Sequence, residues 1–180
     1  MCIRDSSKAF MLMNEIGNFK VIDELSSATN KIAEGELMQL ANKNNLNTSL
    51  QQLKKISYYK TGRLFEASAK SAAMLSGKSI PFIENISKAA KLIGIAFQVR
   101  DDLLDYGVSK GNIGKPEMQD ILEDKITYPL YFALKYSNKK DSSKILKKLK
   151  NKDFSIEEVA DFVSSSNAFN KCNSLIQTYN

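Results

Sequence analysis

The apolar residues of this chain recur with the period of an α-helix over long stretches. In the segment 8–42, the positions that repeat at this period are Val21, Leu25, Ala28, Ile32, Leu37 and Leu40. The chain of 180 residues contains only 3 Pro and 8 Gly, so helix breakers are rare. It shows no β-hairpin alternation and no internal repeat. We therefore predict an all-α fold, a bundle of about six to eight helices.

Breakers and caps divide the chain into predicted elements. The predicted helices are 8–42 with a break near Gly17, 49–75 with a kink near Ser57, 81–106, 117–136 with a kink or restart at Pro129, 141–149, and one opened by a capping box at 155–158. The polar run 42–48 and the glycine-containing run 107–116 are predicted loops. The last segment, 167–180, is weakly helical.

Length and composition fit one soluble globular domain. Hydrophobic residues make up 43% of the chain and charged residues 26%. No run approaches the ~20 apolar residues of a membrane-spanning helix. Cys2 and Cys172 lie at opposite ends without a metal-binding spacing, which favours a reducing, cytoplasmic location. Residues 1–6 do not fit the helical pattern that follows, and we interpret them as a non-native leader before a domain at 7–180.

The chain contains no histidine, which excludes several kinds of active site. Ser-His-Asp triads, His-ligated zinc and histidine general bases all require this residue. The net charge of +6 suits an anionic partner, such as nucleic acid, a membrane surface or a phosphorylated substrate. The densest lysine run, 144–152, has no interleaved aromatic residues, so we predict a solvated helix end and no nucleic-acid binding.

The strongest chemical signal is a group of carboxylates at the end of the predicted helix 81–106. Asp101, Asp102 and Asp105 stand in the run FQVRDDLLDY, which is otherwise mostly apolar. Asp101 and Asp105 are one turn apart and share a helix face, where their repulsion weakens the helix. A divalent cation would offset that repulsion, and hard oxygen ligands favour Mg²⁺ with phosphate as a further ligand. The alternative is an acidic last turn that faces solvent.

A neutral amide lies on the same face of that helix. Gln98 stands one turn before Asp101, where its amide oxygen could face developing positive charge. Gly94 stands one turn earlier and would leave room for a ligand. The alternative for Gln98 is a buried amide whose hydrogen bonds are satisfied within the protein.

Lysines on either side of the acidic helix are candidate phosphate ligands. Lys60 and Thr61 place a cation and a hydroxyl together before an apolar helical run. Lys115 lies in the glycine-containing loop, and Lys125 follows Asp120 further on. Lysines act as point charges for phosphate oxygens. The alternative is that they are ordinary surface lysines.

Four blocks of the sequence resemble, in order and approximate spacing, blocks of the trans-isoprenyl diphosphate synthases. They are GELMQL at 35–40, YKTGRLF at 59–65, FQVRDDLLDY at 97–106 and GKPEMQDILEDKITYP at 114–129. The resemblance covers residues 8–180 and is nearest to bacterial octaprenyl and polyprenyl diphosphate synthases. It implies the helical isoprenoid synthase fold, of which this chain would hold the C-terminal part.

The resemblance also implies roles for the acidic residues. Asp101 and Asp105 resemble the second aspartate-rich motif of the family, which holds Mg²⁺ against an allylic diphosphate. Asp102 belongs to the same motif and would act from behind the metal ligands. Met118 stands where the family commonly has a small residue, and Asp124 where it commonly has a glycine; neither departure removes a ligand.

Substrate-binding roles are implied for residues of three blocks. The residues that match groups holding the departing diphosphate are Lys60, Lys115 and Lys125. The residues that match groups near the allylic cation or the growing hydrocarbon are Thr61, Gln98 and Phe97. The implied reaction condenses an allylic diphosphate with isopentenyl diphosphate into an all-trans polyprenyl diphosphate, in a protein that is a homodimer at full length.

Some features of the family have no counterpart in this sequence. There is one DDxxD run, so the first aspartate-rich motif is missing, as is the isopentenyl-diphosphate pocket. We therefore expect the chain alone to be inactive. Two alternatives stay open: a terpene cyclase of the same fold, and a non-catalytic subunit or fragment that binds diphosphate or a partner subunit.

Overall fold

The computed structural model describes residues 3–107 and 118–179, and every regular element in these two ranges is helical. The α-helices are α1 (Ile3–Ile16), α2 (Phe19–Ala41), α3 (Leu50–Ser57), α4 (Arg63–Leu75), α5 (Ile80–Asp105), α6 (Gln119–Leu122), α7 (Tyr128–Tyr136), α8 (Lys139–Asn151), α9 (Ile156–Ser165) and α10 (Ala168–Gln177). A π-helical turn, Tyr58–Gly62, joins α3 to α4. The predicted all-α class is confirmed.

Most predicted breaks coincide with helix boundaries. The kink predicted near Ser57 is the start of the π-turn, and the restart predicted at Pro129 is the first turn of α7. These interruptions give the described ranges more helical segments than predicted. Helix α1 begins at Ile3, so it includes part of the segment 1–6, whose interpretation as a leader stays a prediction. The loop 107–116 lies almost entirely outside the described residues.

Side-chain caps explain why several helices begin where they do. Asn18, Ser49 and Ser155 each accept a backbone N–H in the first turn of the helix that follows, at 3.1 Å. The donor to Ser155 is the amide of Glu158, as the capping box predicts. A cap of this kind stabilises a helix by about 1 kcal/mol. Gly17 separates α1 from α2 with a left-handed φ of 62°, a conformation that glycine adopts without steric cost.

Helix α5 supplies much of the core. Val99 and Leu103 are fully buried and pack in one cluster with Leu130 of α7 and Val163 of α9. Burying one such side chain contributes about 1.5–3 kcal/mol. This packing holds the C-terminal half of α5, with its carboxylates, against α7 and α10.

A second apolar side of α5 faces outward. Ile86, Ile93 and Phe97 are 36%, 51% and 55% exposed, although all three belong to one apolar helix face. Apolar residues lie on two sides of this helix, and periodicity alone does not tell which side is packed. Leu37, Leu64 and other apolar residues of α2 and α4 are also exposed. Within the described residues, no helix is both long and apolar enough to cross a membrane.

The π-turn is packed closely against α5 through two glycines. A Cβ added at Gly94 would lie 2.5 Å from the Cα of Gly62 and 3.1 Å from the Cβ of Phe65. The expectation that Gly94 leaves room for a ligand is therefore wrong. The space beside Gly94 is filled by backbone, because the helices approach each other more closely than any larger residue would permit.

A buried ion pair joins α2 to α4. The carboxylate of Glu24 lies 2.5 Å from the Arg63 guanidinium and 2.5 Å from the Lys70 ammonium. Burial raises the pKa of Glu24, but hydrogen bonds and charges from Lys70 and Arg63 outweigh it and hold the pKa below its usual value. Glu24 is therefore ionised at neutral pH and stabilises the contact between the two helices.

We expect Glu24→Gln to lower the free energy of unfolding at pH 7 by about 3 kcal/mol, because it leaves the buried Arg63 with only the more distant carboxylate of Glu66, at 3.5 Å. A group with a lowered folded pKa contributes stability above its unfolded pKa of about 4.3 and loses it as the pH falls through the folded pKa. The difference between variant and wild type should therefore shrink at acid pH. Urea unfolding at pH 7 and at acid pH measures this.

The matched control for Glu24 is Glu34→Gln. Glu34 pairs with Lys31 at 2.8 Å on the exposed side of α2, and such surface pairs contribute little. Equal losses of stability in the two variants would contradict a special role for the Glu24 pair.

Candidate active site

The buried carboxylate of Asp102 joins α5 to the start of α7. One carboxylate oxygen accepts a hydrogen bond from Gln98 Nε2 at 2.9 Å, and the other accepts one from the backbone N–H of Tyr128 at 3.2 Å. Burial is the main cause that raises the pKa of Asp102 to about 7; the charges of Asp120 and Asp101 add to the rise, and the two hydrogen bonds oppose it. Asp102 is buried, whereas its neighbours Asp101 and Asp105 are half-buried.

Gln98 is held in one orientation by its two partners. Its amide nitrogen donates to Asp102, and its oxygen accepts a hydrogen bond from the Thr61 hydroxyl at 2.7 Å. Thr61 lies in the π-turn, whose wider winding carries it towards α5. The structure thus joins Thr61, Gln98 and Asp102, which the sequence presents as two separate blocks.

Lys60 precedes Thr61 in the π-turn and points towards α2. Its ammonium donates to Gln39 Oε1 at 2.7 Å and lies 3.6 Å from a carboxylate oxygen of Glu36. Gly35 permits this arrangement, because a Cβ there would lie 2.6 Å from the Lys60 backbone nitrogen. Gln39 is not among the site residues predicted from the sequence, although it lies in the block GELMQL that resembles the family.

Lys125 lies in the segment between α6 and α7. Its ammonium is 2.7 Å from a carboxylate oxygen of Glu123 and 3.3 Å from one of Asp120. Partial burial lowers the pKa of Lys125, but Glu123 and Asp120 together outweigh it and hold the pKa above its usual value. Lys125 therefore carries a full positive charge at neutral pH.

Asp105 caps the short helix α6. Its two carboxylate oxygens accept the backbone N–H groups of Gln119 and Asp120, both at 3.1 Å. The backbone carbonyl of Asp105 also accepts the amide of Met118, at 2.8 Å. Burial raises the pKa of Asp105, and the Asp120 charge adds to the rise. Asp105 thus connects the acidic end of α5 to the segment that carries Lys125, a contact that spacing within one helix could not predict.

One cleft brings several of the predicted residues together. Those that line it are Lys60, Gln98, Asp102 and Lys125. The other polar residues lining the cleft are Gln39, Asn42, Ser57, Thr127 and Tyr128. Phe97 lies apart from this cleft, on the exposed side of α5, where its ring centroid is 5.4 Å from that of Phe65. Lys115 lies outside the described residues.

The acidic residues fit a hydrated divalent cation better than a closed metal cage. Among the described residues, no group of three or more acidic or cysteine side chains is arranged to hold a metal ion. Mg²⁺ is commonly bound by only one or two carboxylates, with water and substrate phosphate as the remaining ligands. Burial, with a further contribution from the charge of Asp120, raises the pKa of both Asp102 and Asp105. A cation bound here would offset the negative charge of these carboxylates.

Comparison with known proteins places these residues in a family. The family model described as polyprenyl synthetase matches residues 6–165. The octaprenyl diphosphate synthase of Escherichia coli K12 is 35% identical over 139 residues, which are 77% of this chain and 43% of the relative. The all-trans-nonaprenyl-diphosphate synthase of Rhodobacter capsulatus is 32% identical over 167 residues, which are 92% of this chain and 51% of the relative.

Solved structures show the same likeness. A polyprenyl synthase from Caulobacter crescentus, complexed with calcium and isoprenyl diphosphate, superposes with a TM-score of 0.88 and 29% identity. The match covers 96% of this chain and 54% of that protein. The chain spans about half the length of the curated relatives it matches. On the evidence of sequence and fold together, this chain belongs to the polyprenyl synthetase family.

Proposed function

We propose that this chain provides the diphosphate-binding half of a prenyltransferase active site. The reaction condenses an allylic diphosphate with isopentenyl diphosphate to give an all-trans polyprenyl diphosphate. The observation that carries the proposal is the cleft in which Lys60, Lys125, Gln98 and the buried Asp102 meet. The names of the relatives favour a synthase over a terpene cyclase.

Lysines hold the leaving group in this proposal. Lys60 and Lys125 line the same cleft and are both paired with neutral or acidic side chains. A diphosphate would replace those partners, because its several charged oxygens are stronger acceptors for an ammonium. Lys115, which lies outside the described residues, is the third lysine of the proposal, on the strength of the family resemblance alone. As the C–O bond breaks, the bonding pair leaves with the diphosphate, and the lysines stabilise the charge that develops there.

The end of α5 would hold Mg²⁺. Asp101 and Asp105 are the proposed ligands, and Asp102 acts from behind them through its bonds to Gln98 and Tyr128. When bound, Mg²⁺ would neutralise negative charge on the diphosphate and so make it a better leaving group. The Caulobacter crescentus synthase, complexed with calcium and isoprenyl diphosphate, supports a divalent cation in this family.

Gln98 and Thr61 would face the allylic cation. Asp102 holds the Gln98 amide so that its oxygen accepts the hydrogen bond from Thr61. Two oxygens, one amide and one hydroxyl, then lie close together where positive charge develops. The double bond of isopentenyl diphosphate attacks the cation, and a proton is lost to the released diphosphate. Phe97 offers an exposed apolar ring for the hydrocarbon chain.

A second candidate is a non-catalytic subunit or fragment that binds a partner. The exposed apolar residues of α2, α4 and α5 favour it, since such a surface is suited to another protein segment.

The homodimer that we propose for the full-length protein would use α1 and α2, whose exposed apolar residues include Phe10, Met11 and Phe19.

We place the protein in the cytoplasm, because the chain has two distant cysteines and no disulfide pattern.

The metal assignment is tested by Asp101→Ala in a synthase of full family length that carries this segment. We expect turnover to fall by at least ~100-fold, which is roughly 2.7 kcal/mol of transition-state stabilisation. Activity should also require Mg²⁺ or Mn²⁺ and disappear with EDTA. The control is Asp161→Ala, on the exposed side of α9, which should keep full activity. Turnover of Asp101→Ala close to that of wild type would remove Asp101 from the site.

The lysine assignment is tested by calorimetric titration with pyrophosphate in the presence of Mg²⁺. Lys115→Ala and Lys125→Ala should each weaken binding by about tenfold, since each removes one charge from the site. Lys144→Ala and Lys147→Ala are matched controls on the solvated face of α8 and should bind as wild type does. Equal losses at all four positions would indicate a diffuse basic surface and no specific site.

We further expect that the 180-residue chain, produced alone, forms no polyprenyl diphosphate. It contains one DDxxD run and spans about half the length of its relatives, so we expect an incomplete set of metal ligands and a cation that is exposed to water. The assay is incorporation of labelled isopentenyl diphosphate with farnesyl diphosphate and Mg²⁺. The octaprenyl diphosphate synthase of Escherichia coli serves as the positive control. Robust product from this chain alone would contradict the expectation.

A further inference from the structure

Three non-glycine residues with left-handed backbone lie in adjoining loops. They are Asn44, Asp124 and Lys152, with φ angles of 57°, 60° and 54°. A side chain with a Cβ is disfavoured in this region, and a lysine more so than an asparagine or aspartate. Residues in such conformations persist where the surrounding contacts hold them. The contacts among these three residues therefore show what holds them in this conformation.

Asp124 connects the other two residues. Its backbone carbonyl accepts the amide of Asn44 at 2.9 Å, and its carboxylate lies 2.9 Å from the Lys152 ammonium. The hydrogen bond from Lys152, aided by a smaller one from the Asn44 side chain, outweighs the effect of burial and holds the pKa of Asp124 below its usual value. We call these three residues the Asp124 latch. It ties the loop after α2 and the C-terminal end of α8 to the segment between α6 and α7.

The latch lies directly beside Lys125. The backbone amide of Lys125 donates to the carbonyl of Asp120 at 2.8 Å, so the chain turns tightly between α6 and this lysine. Lys125 and Ile126 border the active-site cleft on one side. On their other side they border a depression whose rim includes Asn44, Asp124 and Lys152. The backbone of Asp124 therefore decides the direction in which Lys125 leaves the turn.

We propose that Asp124 is a positioning residue, which holds Lys125 in the diphosphate cleft through its ion pair with Lys152. A glycine at this position would adopt the same φ without strain, but it would offer nothing to fasten the turn to α8. The aspartate adopts a strained backbone conformation, and its carboxylate gains hydrogen bonds from Lys152 and from the Asn44 side chain. The proposal rests on the proposed function, in which Lys125 binds diphosphate.

The test is a double-mutant cycle read by calorimetric titration of the chain with pyrophosphate and Mg²⁺. Lys152→Met removes the ion pair without touching the cleft, and we expect about fivefold weaker binding. In a Lys125→Ala background the same change should cause no further loss, because the lysine it positions is gone. Asp124→Asn keeps a residue that tolerates left-handed backbone and should weaken binding as Lys152→Met does.

The control is Lys150→Met, which removes the same charge from the same helix end and should leave pyrophosphate affinity unchanged. Thermal unfolding checks that each variant is folded. If Lys125→Ala weakens binding while Lys152→Met does not, the latch is overturned and the proposed function stands. If Lys152→Met lowers pyrophosphate affinity equally in the wild type and in Lys125→Ala, the latch proposal is also overturned. If Lys125→Ala binds as wild type does, the assignment of Lys125 fails and the latch proposal fails with it.

Discussion

The arrangement of the candidate site depends on the buried carboxylate of Asp102. A buried carboxylate is costly unless both oxygens find donors, and here they do so on two different helices. The bond to the Tyr128 amide fixes where α7 begins relative to α5. The bond to Gln98 fixes the amide that meets Thr61. The two hydrogen bonds of Asp102 thus fix the position of Gln98 relative to α7 and to the packed part of α5.

The π-turn makes the second half of this arrangement possible. In a continuous α-helix through Tyr58–Gly62, the side chains of Lys60 and Thr61 would point in other directions around the helix axis, because the wider π-turn takes one more residue. Gly94 and Gly62 then let the turn approach α5 closely enough for the Thr61 hydroxyl to reach Gln98. The small residues are required for helix contact, and the polar groups beside them are those that we propose for the chemistry.

The sequence predicted local structure well and contacts between segments poorly. Periodicity and caps placed most helices, and the break at Gly17 and the capping box at Ser155 were confirmed. The prediction of which side of α5 faces inward was partly wrong, because both sides of that helix are apolar. The pairing of Lys60 with Gln39, which lies 21 residues away on another helix, depends on tertiary packing and has no sequence pattern. Resemblance to a family suggested which residues carry the chemistry, but not which of them meet.

Electrostatics explain how such a site could work without histidine. The end of α5 concentrates Asp101, Asp102 and Asp105, and burial and repulsion raise the pKa of the last two. Lys60 and Lys125 stand close to this negative cluster and are held by weaker partners that a ligand could displace. A diphosphate and a cation together carry the charges that would satisfy both groups at once. In the proposed function, these opposite charges of the protein would therefore favour binding the two ligands as a complex.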